Sequence, residues 1–410
     1  MWQLKKVASC VGLIILFELV QLFLKVKLAD APYYYFFDNL LTCYQILALF
    51  FCISTLVTDE VFFKRFFKTR YKILSVVFFL ALVVACESLC VWLMYHPKSI
   101  SKGLSTFRRY YREFDKTLMQ VDKRYSAYDS TLFYKLRPRE QFVYTNREFS
   151  DTFRTNSQGF RDDEPSLTDP AILVLGDSYT LGWGTEQDDT YSSVVERITG
   201  LKALNTGIAS YGTARESIAL SSLDTSNVKF IIWQYCPNDA TENKTYVDNK
   251  FVLPIRSREA YDKHAEQANW TATYFPGKYF LTLLNLFRKE SYRKPSSVPA
   301  EKTRIIREGE EEAARFLAIL ERSKINWDQT KVIILELYYR ENVSQFISAL
   351  QKLIKEDIGK RDFLKSLVVL NVKPLFGKED YYILDIHLTK QGHLKLGNHL
   401  AEVIKGLQQK

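Results

Sequence analysis

Hydrophobic and polar positions follow two different regimes along this chain. Before residue 100 the apolar residues come in three near-continuous runs, Val7 to Phe23, Leu40 to Val57 and Ile73 to Tyr95. Each is about as long as the roughly 17–25 residues that cross a bilayer. After residue 165 they come instead in short bursts. Ile172 to Leu175 is four apolar residues stopped by Gly176, too short for a helix, and it reads as a buried strand. Lys202 to Asn205, Val228 to Tyr235, Val332 to Leu337 and Leu367 to Val372 read the same way. Between them the pattern predicts a helix capped by Asp188 or Asp189 and stopped by Gly200, one over Ala214 to Leu223, one near Val343 to Lys355, and a closing helix from about Gln391 to Leu407.

Strand and helix in alternation predict a parallel sheet covered on both faces: a three-layer α/β/α domain, flavodoxin-like, with five parallel strands. From about Thr241 to Asn326 the alternation is interrupted by an insertion containing Pro254, Pro276, Pro295 and Pro299 and a charged helix near Glu308 to Glu321. The expected organisation is a membrane region over 1–100 (helices about 7–23, 40–57 and 73–95), an aromatic-rich connector over 101–165, and an α/β domain over 166–410 that carries the insertion at 241–326. In the connector, Tyr110, Tyr111, Tyr125, Tyr128, Phe133 and Tyr134 follow no long period and are expected to pack it against the α/β domain. Asn156 and Gly159 predict a turn just before it.

The first run also resembles a signal peptide, since Lys5 and Lys6 precede it and Ala29-Asp30-Ala31 looks like a cleavage site. Its apolar part is longer than a signal core, and it is read as a retained helix. Lys64, Arg65, Lys68, Arg70 and Lys72 place the loop before the third run in the cytoplasm, so three crossings put everything after Tyr95 on the extracytoplasmic side. Glu18 and Glu87, the acids inside the runs, are expected to face neighbouring helices. The formal charge of +9 is partly this juxtamembrane set, and no nucleic-acid motif accompanies it. Of six cysteines only Cys236 lies beyond the apolar runs, which excludes a disulfide framework there. No cofactor or metal motif is present.

Four points fall just past strand ends or in the last loop: Gly176-Asp177-Ser178, Asn205-Thr206-Gly207, Cys236-Pro-Asn238-Asp239 and Asp385-Ile386-His387. A parallel sheet puts all its carboxyl ends on one edge, so residues two hundred positions apart can meet there. In these blocks, from roughly Ile172 to His393, the chain resembles the SGNH hydrolases, the GDSL-like esterases, which place serine, glycine, asparagine and histidine in this order. Acyl transfer by serine needs a base within hydrogen-bond reach and a group that orients the base. His387 is the candidate base and Asp385 its orienter. The resemblance implies an oxyanion hole made by the backbone N–H groups of Ser178 and Gly207 with the side-chain amide of Asn238.

The chain departs from the family pattern in two places. Cys236 replaces a glycine of the third block, and one residue rather than two separates Asp385 from His387, a spacing that sends both side chains to the same side of an extended loop. His393 is the rival base. Tyr179, Trp183 and Tyr211 flank the serine, either shaping a subsite or covering the sheet edge. The expected activity is that of a membrane-anchored, extracytoplasmic serine esterase acting on O-acyl esters, chiefly O-acetyl groups of a surface or exported glycan. Its expected partners are the acylated glycan and membrane lipid. Two alternatives stay open: an O-acyltransferase using the same triad, and a catalytically silent glycan-binding or assembly module.

Overall fold

The computed structural model describes residues 2–28, 69–291, 298–339 and 343–409, with scattered positions between 31 and 52. The chain forms two compact units, Met1–Thr117 with Asp262–Lys294, and Leu118–Tyr261 with Pro295–Lys410.

In the first unit, long helices at Trp2–Leu28 and Thr69–Tyr95 contain the first and third apolar runs. Among the described residues no helix is long and apolar enough to cross a membrane. The three expected transmembrane helices, and a multi-pass location with them, therefore draw no support from the structure. Most of the run 40–57, and Lys64, Arg65 and Lys68, lie outside the described residues. Glu87 is buried and accepts hydrogen bonds from Tyr279 N (3.2 Å) and Phe280 N (2.8 Å). These N–H groups open the helix Lys278–Ser291 and have no intrahelical acceptor of their own. Glu87 thus makes the interhelical contact expected of it. Glu18 lines a cavity of mixed polar and apolar walls with Gln21, Asp38, Arg288, Ile14 and Phe17.

The second unit begins with two antiparallel hairpins, β1 (Ser126–Asp129) with β2 (Phe133–Leu136) and β3 (Gln141–Thr145) with β4 (Ser150–Arg154). Strands of four and five residues are too short to show a period, which is why the connector looks irregular in the sequence. Tyr125, Phe133, Tyr134, Tyr144 and Phe153 join one core with Leu173, Ile231, Trp233 and Ile334 of the sheet, whereas Tyr110 and Tyr111 are buried in the first unit.

The chain then runs β5 (Ile172–Leu175), α1 (Ser178–Leu181), α2 (Tyr191–Thr199), β6 (Ala203–Asn205), α3 (Thr213–Leu220), β7 (Phe230–Tyr235), α4 (Ala240–Asp248), and, after the helices Arg258–Ala272 and Lys278–Ser291, α5 (Val298–Arg322), β8 (Lys331–Glu336), α6 (Phe346–Asp357), β9 (Leu367–Leu370) and α7 (Lys390–Gln408). The five strands pair in parallel in the order β6-β5-β7-β8-β9. Numbered by sequence this is 2-1-3-4-5, the flavodoxin-like order, whose switch point lies beside its first strand. All four residues of β5 are buried, as the continuous apolar burst requires of a central strand covered on both faces. One boundary differs from expectation. The cap of α2 is Thr190, which accepts a hydrogen bond from Ser193 N (3.3 Å), while Asp188 and Asp189 occupy a separate 3-10 turn just before it.

Candidate active site

The end of β5 and the start of α1 create an abrupt turn. Gly176 has φ 156, and a Cβ there would lie 2.1 Å from Thr180 Oγ1 and 2.4 Å from Gln234 Oε1, so only glycine fits. Asp177 caps α1, its carboxylate accepting from Tyr179 N at 3.0 Å. Ser178 is then the first residue of the helix, with its side chain 2.7 Å (Oγ to Nε2) from His387. His387 Nδ1 is hydrogen-bonded to Asp385 Oδ1, and Asp385 Oδ2 accepts from Trp183 Nε1 at 3.0 Å. A carboxylate at Nδ1 favours the tautomer protonated there and leaves Nε2 as an acceptor for the serine hydroxyl. All three side chains are shielded, at 9% exposed for Ser178, 6% for His387 and 1% for Asp385. The imidazole is further fixed by Tyr179 and Trp183, whose rings lie 4.8 and 5.4 Å from it.

The expected oxyanion donors are arranged less simply. The N–H of Ser178, at the first position of a helix, has no intrahelical acceptor. Gly207 N donates to Asn205 Oδ1 at 3.0 Å, and a Cβ on Gly207 would come within 2.4 Å of Leu181 N and 2.7 Å of Thr180 C. Glycine is required there for the loop after β6 to lie against α1. Asn238 is exposed, with Nδ2 3.4 Å from Asp177 Oδ2. Two of the three donors are therefore engaged at rest, and a developing oxyanion would have to compete for them.

The remaining candidates separate clearly. His393 is fully buried, its Nδ1 accepting from Tyr191 N at 3.3 Å, and burial pulls its pKa down to about 3. It is a neutral packing residue at the start of α7, and the serine hydroxyl is hydrogen-bonded to His387 instead. Cys236 is buried, and burial followed by the charge of Asp177 pushes its thiol well above the usual range, so it is no nucleophile. Tyr211 is buried and donates its hydroxyl to the carbonyl of Tyr134. Asp177 bonds to backbone and Asn238 rather than to His387, and burial raises its carboxyl.

Three residues that the sequence did not single out brace this site. Arg161, 1% exposed, donates to the carbonyls of Leu181 (3.1 Å), Gly182 (2.6 Å), Thr185 (2.7 Å) and Thr152 (3.0 Å), with its guanidinium 3.5 Å above the Phe153 ring. Burial away from water lowers its pKa to about 9, against the opposing charge of Asp151. Asp162 accepts from Asn205 N at 2.7 Å and fixes the strand end that leads to Gly207; burial raises its carboxyl to about 6. Glu148 accepts from the backbone of residues 383, 384 and 385. Arg161 and Asp162 follow directly on the turn marked by Asn156 and Gly159, which was the one available signal.

No family model matches the chain, and no curated protein matches it in sequence. Among solved structures it is similar to a protein assigned to the lipolytic G-D-S-L family from Desulfitobacterium hafniense DCB-2, at 12% identity and a TM-score of 0.32, over 57% of this chain and 98% of the other. It is also similar to a protein assigned as a GDSL-like lipase from Bacteroides ovatus ATCC 8483, at 12% identity and a TM-score of 0.34, over 63% of this chain and 57% of the other. The lipase Lip_vut3 from goat rumen metagenome matches at 14% identity and a TM-score of 0.31, over 56% of this chain and 94% of that one. These likenesses are remote, and the chemistry of the site stands on its own residues.

Proposed function

We propose that this protein is a serine ester hydrolase of the SGNH kind, acting through an acyl-serine. The observation that carries the reading is the hydrogen-bonded line from Ser178 through His387 to Asp385 at the carboxyl edge of a parallel sheet. In the first half-reaction Ser178 Oγ attacks the ester carbonyl while His387 Nε2 takes the hydroxyl proton. The imidazolium is stabilised by Asp385, whose second oxygen is held by Trp183. The carbonyl electrons move to the oxyanion, whose donors in this reading are the N–H of Ser178, the N–H of Gly207 and the side-chain amide of Asn238. Collapse breaks the bond to the alcohol, which leaves with the proton from Nε2. In the second half-reaction water attacks the acyl carbon by the same route in reverse; a sugar hydroxyl entering instead gives transfer.

The substrate class we propose is an O-acyl, chiefly O-acetyl, ester of an exported glycan, with the enzyme held at a membrane by its first unit. The attachment is supported by the apolar runs and by Val11, Ile15, Leu16, Leu19, Leu22, Phe23 and Val26, which stand exposed on Trp2–Leu28. The glycan rests on the family resemblance and the expected side of the membrane. The test is p-nitrophenyl acetate hydrolysis by the full chain, expected in the wild type and absent from Ser178→Ala. Equal rates in the two proteins refute the reading. Carbonate-resistant sedimentation with membranes is expected of the anchored form, and release by carbonate contradicts it.

A further inference from the structure

Glu148 stands in the turn between β3 and β4, outside the five-stranded sheet, yet its carboxylate reaches the loop that carries the base. Oε1 accepts from Ile383 N at 2.8 Å, and Oε2 accepts from Leu384 N at 2.7 Å and Asp385 N at 2.8 Å. Three consecutive N–H groups thus converge on one carboxylate, an anion-binding concavity filled by the protein's own side chain. Burial raises the Glu148 carboxyl, the three N–H bonds oppose this, and the nearby Asp385 charge adds to the rise. The loop is closed on itself by the Tyr381–Leu388 bridge and by Tyr382 N donating to His387 O at 3.0 Å. The turn is fixed in the same way, with Asn146 N donating to Phe149 O at 3.0 Å and the Phe149 ring 5.3 Å from that of Tyr382.

We propose that Glu148 is a positioning residue that sets the Asp385–His387 pair, so that the hairpin completes the acid–base machinery from outside the sheet. The proposal rests on the reading of Ser178, His387 and Asp385 as a working triad. The chemistry demands an anion with two acceptor oxygens. Glutamine offers one acceptor and turns an NH₂ toward N–H groups, donor against donor. Aspartate is one methylene too short, and alanine leaves all three N–H groups without the carboxylate.

The experiment compares wild type, Ser178→Ala, Glu148→Ala and Glu148→Gln in the full chain, with two readouts. The first is kcat and KM for p-nitrophenyl acetate, where both Glu148 variants are expected to lose kcat by about tenfold to a hundredfold, with KM changed less than about twofold, because a displacement of order 1 Å at a reacting group costs that much. The second is the far-downfield proton resonance of His387 Nδ1–H, expected in wild type and in the inactive Ser178→Ala and lost in both Glu148 variants. A purely structural role would lower the melting temperature and the folded fraction but leave the resonance of the folded fraction in place. Retention of that resonance and of kcat in either folded Glu148 variant overturns the proposal. A wild type without serine-dependent hydrolysis overturns the triad reading, and the resonance then decides alone whether Glu148 holds the pair. Should Glu148→Ala not fold, Glu148→Gln, which keeps the side-chain shape, decides between these outcomes.

Discussion

Replacing Gly207 by alanine separates two parts of the site that the fold holds in contact. The added Cβ would stand 2.4 Å from Leu181 N and 2.7 Å from Thr180 C, both backbone atoms of α1. An ordinary carbon contact begins near 3.5 Å, so the loop after β6 and the helix carrying Ser178 must part by about 1 Å. Neither side yields easily. Leu181 N is tied to Asp177 O at 2.9 Å, and Ile208 N to Gly176 O at 3.2 Å. The strain is of the overpacking kind, about 1–3 kcal/mol of stability. The catalytic effect is the larger one if Gly207 N–H serves the oxyanion: alanine keeps the N–H but moves it by about 1 Å, a misplacement that costs roughly a hundredfold in kcat and at most the roughly thousandfold of losing the donor outright. The assay is p-nitrophenyl acetate turnover by the full chain, with thermal unfolding measured on the same sample. A fall of that size in kcat with KM nearly unchanged is expected. A folded Gly207→Ala whose kcat stays within threefold of wild type refutes the donor role and shows the loop to be free of α1.

Arg161→Met fills the space but leaves the carbonyls of Leu181, Gly182, Thr185 and Thr152 without their donor; a loss of about 3–5 kcal/mol in chemical denaturation is expected, and a loss under 1 kcal/mol contradicts the bracing role. His393 is pulled from its usual 6.5 to about 3, so the unfolded chain binds a proton below pH 6.5 that the folded chain refuses. Stability should therefore fall as pH drops from 6.5 toward 3, by up to about 5 kcal/mol from this group, and His393→Gln should be less acid-sensitive over that window; identical pH profiles would be the contrary result. Glu336 is the opposite case. Burial raises its carboxyl from 4.5 to about 7, so the folded state holds a proton that the unfolded state gives up between those values, and stability is lost as pH rises through them. Glu336→Gln should match wild type near pH 4.5 and exceed it by about 3 kcal/mol at pH 8, and a gap that does not widen with pH would be inconsistent with this.

What the sequence reveals and hides follows from physical scale. Ile172 to Leu175 is legible because all four of its residues are apolar and buried, and because a glycine ends it where a side chain would collide with Thr180 and Gln234. Ser178, Asp385 and His387 stand out because sheet topology gathers strand ends, and the structure joins them in one hydrogen-bonded line. Glu148 and Arg161 stay hidden because their partners are backbone N–H and C=O groups, which every residue carries and no pattern marks. The commitments of Gly207 N to the Asn205 side chain and of the Asn238 amide to the Asp177 carboxylate are hidden for another reason, being settled by distances of a few tenths of an ångström. The hairpins fail to show because four residues of alternation cannot be told from chance. The apolar runs are plain in the sequence, yet among the described residues they yield no helix long and apolar enough to cross a membrane.

Covalent labelling tests the central claim most directly. The full chain, incubated with a fluorophosphonate and digested for mass spectrometry, should carry one phosphonyl group on the peptide containing Ser178, formed at wild-type speed only while His387 is present and all but lost in His387→Ala. A folded protein that takes no label at Ser178, or takes it equally fast without the imidazole, would contradict the account.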